Sequence, residues 1–182
     1  GGTAPAITYT VKVVSDSGNK YRFDDFGTSA VTLDLQEGGT YTFDQSDSSN
    51  AGHPLRFYTA SDKSGGEYTT GVTTTGTAGS SGAKTVITVA ASAPTLYYQC
   101  SNHAGMGGQA NTNSTFGSSN FGGSIQTNVS AGSSQGFSVV FYTGDGGATA
   151  TFGHGLGAIP KMIFLKKRSG STDWVVYHEA IT

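Results

Sequence analysis

Leu96-Tyr97-Tyr98-Gln99-Cys100-Ser101-Asn102-His103-Ala104-Gly105-Met106 joins an apolar run of strand length to a short loop, and the reading of the fold turns on that junction. Pro94 closes the preceding connection, and Leu96 to Cys100 has the aromatic and apolar content of a buried strand. The loop that follows holds the only cysteine, one of four histidines and one of two methionines. A thiolate, an imidazole and a thioether this close together need one more imidazole to form a His, His, Cys and weak axial Met set, which suits copper. His53, in Gly52-His53-Pro54-Leu55-Arg56-Phe57, is the candidate donor. A Cys and a Met beside a loop His also serve as plain core fillers, so convergence of all four in space is what separates the two readings.

Upstream of the junction the chain reads as consecutive strands. Ile7, Tyr9, Val11 and Val13 alternate with polar residues, a period-2 signal. Ser15 to Asn19 is a turn cluster, and Tyr21 and Phe23 resume the alternation. Val31, Leu33 and Leu35 share a face, Glu37-Gly38-Gly39 turns the chain, and Tyr41 and Phe43 begin another strand. Gln45 to Gly52 reads as a polar loop, Pro54 to Thr59 and Thr85 to Ala90 as strands, and Ser61 to Lys84 as a low-complexity excursion with short strands or none. Turns every eight to twelve residues predict an antiparallel sandwich over residues 1–108. Residues 109–135, rich in Gly, Ser and Asn, read as a linker or extended arm. Strand patterns return at Phe137–Tyr142, Ala148–Phe152, Ile159–Lys167 and Trp174–Tyr177, the start of a second, incomplete β module over 136–182. That piece is too small to bury much apolar area alone and calls for a partner or more chain.

Composition narrows the function classes. The chain has 182 residues, 28 of them Gly, with 35% hydrophobic and 12% charged residues and a net charge of −2. Such a chain favours turns and short strands over helix. It has no basic run to suit nucleic acid and no apolar stretch long enough to span a membrane. A single cysteine allows no internal disulfide. The start at Gly1-Gly2 and the stop inside a strand-like pattern suggest a processed chain or a piece of a longer one.

Two resemblances follow from these motifs. Tyr98 to Met106 resembles the ligand loop of cupredoxins, with the short spacing of amicyanin and an aromatic two residues before the Cys. The resemblance implies an all-β, cupredoxin-like Greek-key sandwich in which His53, Cys100, His103 and Met106 are metal ligands and copper is the cofactor. One departure stands out: cupredoxins usually carry a hydrogen-bonding residue, often Asn, directly after the first ligand His, and here that position is Pro54. Loss of such support typically weakens metal binding roughly 10–100-fold. Asp47 to Phe57, Glu67 to Val72 and Tyr97 to Gly108 also resemble a cupredoxin-like module of structural proteins in marine tailed phages. Gly153 to Arg168 and Trp174 to His178 resemble the β module that follows it in such proteins. This resemblance implies a virion-surface fibre, appendage or decoration protein, without enzymatic activity, that forms a homo-oligomer with other virion proteins and meets a host-cell surface ligand.

The main alternative is a blue-copper electron carrier using the same four ligands. A secreted carbohydrate-binding sandwich, resting on Trp174 and Tyr177, is a third reading. His154 and His178 read as turn or surface residues, and the scattered aspartates as turn formers rather than calcium ligands. Lys166-Lys167-Arg168 reads as solvated edge protection. No nucleophile elbow precedes a helix.

Overall fold

The structure is a computed structural model that describes residues 4–132 and 134–181. The expectations that touch Gly1 to Thr3, Ser133 and Thr182 lie outside the described residues. The described chain is an all-β sandwich, and no α-helix occurs among the described residues. Strands β1 (Ala6–Ser15), β2 (Asn19–Phe23), β4 (Thr40–Asp44), β6 (Val72–Thr75) and β7 (Lys84–Thr88) form one sheet, in the order β2-β1-β4-β7-β6. Strands β3 (Leu33–Asp34), β5 (Leu55–Tyr58), β8 (Leu96–Cys100) and β9 (Gly108–Asn111) form the facing sheet, in the order β3-β9-β8-β5. Beyond them lie a three-stranded sheet of β10 (Ser118–Asn120), β11 (Thr127–Gly132) and β12 (Phe137–Phe141), and a hairpin of β13 (Met162–Leu165) and β14 (Val175–His178).

The alternation read in the sequence points into the core. Tyr9, Val11, Tyr21, Phe23, Tyr41, Phe43 and Ile87 from one sheet meet Leu33, Leu55, Phe57, Leu96, Tyr98 and Cys100 from the other. Phe43 packs edge-on against Phe57 at 5.5 Å between ring centroids, and Phe23 against Tyr98 at 5.1 Å, a favoured arrangement of aromatic pairs. Four fully buried tyrosines each spend the phenol on a partner. Tyr9 donates to the Ser119 carbonyl, Tyr21 to that of His53 and Tyr98 to that of Val31. The Tyr41 oxygen accepts the Gln36 N–H and hydrogen-bonds the Ser118 hydroxyl.

Three features depart from the sequence expectations. Pairing is not antiparallel throughout: β1 runs parallel to β4, and β3 parallel to β9. The chain crosses to the second sheet for β3 between β2 and β4, and such a crossover brings a strand back parallel to its neighbour. Residues 109–135 are not a linker. β9 completes the four-stranded sheet, Phe121 sits in the core, and Ser118 and Ser119 are buried against Tyr41, Tyr9 and the Asp34 N–H. The partners here are hydroxyls and backbone groups, so the segment packs without an apolar alternation. Ala148–Phe152 forms no strand. Thr151 instead makes three hydrogen bonds with Ser124 and accepts the Ile125 N–H on its carbonyl, and Phe152 stacks on Tyr142 at 4.6 Å. No described helix is long and apolar enough to cross a membrane.

Candidate metal centre

Cys100 ends β8 with its side chain turned inward, fully buried beside Leu55, its cross-strand partner. Three residues on, the loop turns His103 back over it. His53 arrives from the connection between β4 and β5. The thiol sulfur lies 3.5 Å from His103 Nδ1 and 3.8 Å from His53 Nδ1. One ligand atom from each residue falls within 4.8 Å of the others, and the two imidazole rings are 4.7 Å apart. Met106 is buried in the same core cluster as Cys100, with its side chain 1% exposed. His53 is half-buried and His103 is exposed, so the cluster opens on the surface through residue 103.

The donor set fits a soft or borderline ion. Sulfur and nitrogen ligands standing about 2.0–2.3 Å from a common metal are separated from one another by roughly 3.5–3.7 Å in trigonal or tetrahedral arrangements, close to the separations seen here. Burial first, and the neighbouring His103 second, hold the His53 imidazole below the usual histidine value. At neutral pH it therefore keeps the lone pair that a metal requires. Tyr21, which donates to the His53 carbonyl, has its phenol pushed far up, chiefly by burial and then by Cys100, so it stays a donor.

The support that Pro54 cannot provide comes from elsewhere. Asn102 Nδ2 donates to the Gly52 carbonyl at 2.8 Å, and Ser101 N–H donates to the Pro54 carbonyl at 3.0 Å. These two bonds tie the Cys100 loop to the His53 loop. The Asn102 N–H also approaches the Cys100 sulfur at 3.4 Å, as a thiolate prefers. Behind His53, buried Gln45 donates to the His53 carbonyl and accepts the Leu55 N–H, while buried Asn50 donates to the Val11 carbonyl. The ligand loop itself hangs on Gln99, whose Oε1 accepts the Met106 and Gly107 N–H groups at 2.8 and 2.9 Å. Asp62 accepts the Gly105 N–H, and Lys20 donates to the Gly105 carbonyl.

Reading the motif residues alone misses Gln45, Asn50, Gln99 and Asn102. The signal available for two of them is position: Gln99 and Asn102 flank the Cys within three residues. Gln45 and Asn50 sit in a stretch read as a polar loop, where a 3-10 turn over Ser48–Asn50 in fact buries them. His154 and His178 lie outside the cluster, each accepting a local backbone N–H through Nδ1. Arg168 departs from simple edge protection and sits over the rings of Phe116 and Phe141.

A family model described as a domain of unknown function (DUF7483) matches residues 109–182. The match begins inside β9, so its first residues belong to the four-stranded sheet of the sandwich. No curated protein and no solved structure matches the chain.

Proposed function

We infer that this chain is a non-enzymatic assembly protein of a virion surface, a fibre, appendage or decoration component that works as a homo-oligomer among other virion proteins and meets a host-cell surface. The observation that carries the assembly part is the β13–β14 hairpin. Ile163 and Leu165 face Tyr177 and Val175 across the ladder, and Phe164 faces Val176. Phe164 is 60% exposed, and Trp174, next to the hairpin, 63%. Every large apolar side chain of both strands is exposed. A lone two-stranded ribbon is marginal in water, and a contiguous open apolar surface of this kind marks an interaction site. Neighbouring chains that cover it supply the missing burial. The resemblance of the sandwich and C-terminal motifs to phage structural modules supports the virion setting.

In this reading His53, Cys100 and His103 would hold a copper ion, with Met106 as the weak fourth donor, and the ion would clip the two loops together. When bound, copper supplies that cross-link and a one-electron couple. The protein's own part is to keep His53 neutral, to aim both Nδ1 atoms at the thiol and to fix the loops through Gln99 and Asn102.

Sedimentation of the full chain tests the assembly part: an oligomer is expected, and Phe164→Ser with Val176→Ser is expected to shift it to monomer. A monomeric wild type would reject this reading. Peptides of this chain in purified particles test the setting. The second reading, a soluble blue-copper electron carrier, is favoured by the His53, Cys100 and His103 cluster. It requires an intense visible thiolate-to-copper absorption on adding Cu(II), lost in Cys100→Ser, together with a monomeric, rapidly reducible protein.

A further inference from the structure

We propose that a second site, a cleft beside the sandwich, binds an acidic sugar. The cleft, of about 390 Å³, is lined by Asp34, Gln126, Asn128, Phe116, Phe141 and Arg168 among others, a volume in the range of small-ligand sites. It draws these residues from β3, β11 and the connection leading into it, β12, the loop before β10 and the turn after β13. It shares no residue with the metal cluster or with the strands of the apolar hairpin, so it stands or falls apart from the virion reading.

Its lining combines a cation with acceptors. Arg168 sits over two rings, with Cζ 5.2 Å from the centroid of Phe116 and 5.1 Å from that of Phe141. Such cation–π contact orients a guanidinium without using its N–H groups. Among the described residues Arg168 forms no ion pair, although Asp34 lines the same cleft. A planar fork of free donors suits a carboxylate, which it can grip through two parallel bonds.

Other residues of the lining supply acceptors. Asp34 takes one amide hydrogen from Asn111 on Oδ1 and one from Asn128 on Oδ2, at 2.7 and 2.8 Å, which leaves lone pairs on both oxygens. The amide nitrogen of Asn128 is engaged with Asp34, and that of Gln126 with the Thr32 carbonyl and the Ser119 hydroxyl. Both side-chain amides therefore keep a carbonyl oxygen to offer. Acceptors of this kind suit hydroxyl donors. A bare anion would meet the Asp34 charge, whereas a ligand that carries a carboxylate and hydroxyls uses both kinds of group. Phe116, 48% exposed although Arg168 and Phe141 pack against its ring, offers the uncovered part of that ring for apolar contact with the C–H side of a pyranose. A uronic or sialic acid unit has these three features together.

Calorimetry on the full chain tests this with trimers of galacturonate, mannuronate and guluronate, N-acetylneuraminic acid, the carboxyl-reduced neutral trimers and inorganic phosphate. At least one acid is expected to bind, with its neutral counterpart about ten-fold weaker or more. Arg168→Gln is expected to weaken the acid about 10–100-fold while leaving the neutral sugar unchanged. Asn128→Ala is expected to weaken both. Arg168 is exposed, so the thermal transition of Arg168→Gln should match wild type, which separates lost binding from lost fold. The proposal is overturned if no acid binds at millimolar concentration, if acid and neutral sugars bind alike, if Arg168→Gln changes nothing, or if phosphate binds as tightly as the best sugar.

Discussion

Gln99 lies between Tyr98 and Cys100 on β8 and points away from the core, yet only 4% of it is exposed, because the ligand loop folds over it. Its amide oxygen takes the N–H groups of Met106 and Gly107, and its nitrogen reaches Asp62. Gln99→Ala would strand two backbone donors in a buried place and is expected to cost about 2–3 kcal/mol, read as a lower urea midpoint of the metal-free protein. The loop on the other side depends on Asp47, which caps the Ser48–Asn50 turn by accepting the Ser49 hydroxyl and N–H. Those bonds hold the Asp47 carboxyl below its usual value. The native state therefore binds a proton less readily than the unfolded chain. The cap's contribution is complete above the unfolded value near 3.8 and is lost as pH falls through the lowered native one. The gap in urea midpoint between wild type and Asp47→Ala should be open at pH 5 and should narrow towards pH 2. A gap independent of pH would show that the carboxylate charge does nothing there.

At the scale of elements, the Cys100-to-Met106 connection works because glycine lets it return close to the strand it left. A Cβ at Gly107 would collide with the Tyr98 carbonyl, and one at Gly108 would stand 2.7 Å from the Ala30 carbonyl. Gly107→Ala should therefore destabilise the fold by about 1–3 kcal/mol through overpacking, measurable by chemical denaturation, where substitution of an open glycine such as Gly27 should have far less effect. The tie between the two loops predicts a separate result. Asn102→Ala removes the bond to the Gly52 carbonyl and should weaken copper binding roughly 10–100-fold with little change in the metal-free melting temperature, as read by competition with a chelator. Equal affinity would place the tie elsewhere. Of the strands, those with apolar alternation (β1, β2, β4, β7) are legible directly. β9 and β10 are not: Gly108-Gln109-Ala110-Asn111 and Ser118-Ser119-Asn120 lack any apolar stripe, and their pairing depends on partners distant in sequence.

Across the whole molecule, the sandwich does not end where its apolar pattern ends. Tyr9 and Tyr41, from the heart of the five-stranded sheet, both direct their hydroxyls at β10, and Phe121 packs on Tyr9, Phe23 and Phe26. A chain of residues 1–108 would leave the buried Tyr9 phenol and the Asp34 N–H without partners, the Tyr41 oxygen with the Gln36 N–H alone, and a hole where Phe121 sits. It is expected to lose its cooperative melting transition, whereas residues 1–142 should keep one. In the full chain, Phe121→Ala should cost about 3–5 kcal/mol. A cooperative, stable 1–108 fragment would refute this account of the core.

Local chemistry and periodicity, which need no knowledge of distant neighbours, determined three things from the sequence alone: the all-β class, the inward faces of the long strands, and the pairing of His53 with Cys100 and His103 as candidates for one cluster. Tertiary structure alone decided the rest. It set the parallel pairings that follow from the crossover to β3, enlisted a Ser- and Asn-rich segment into the sandwich, and replaced the missing tie at Pro54 with Asn102 and Ser101. It also brought Arg168 and Asp34 to the lining of one cleft. Each of these rests on hydrogen bonds or ring contacts between residues tens of positions apart, and such bonds leave no periodic trace in the order of the amino acids.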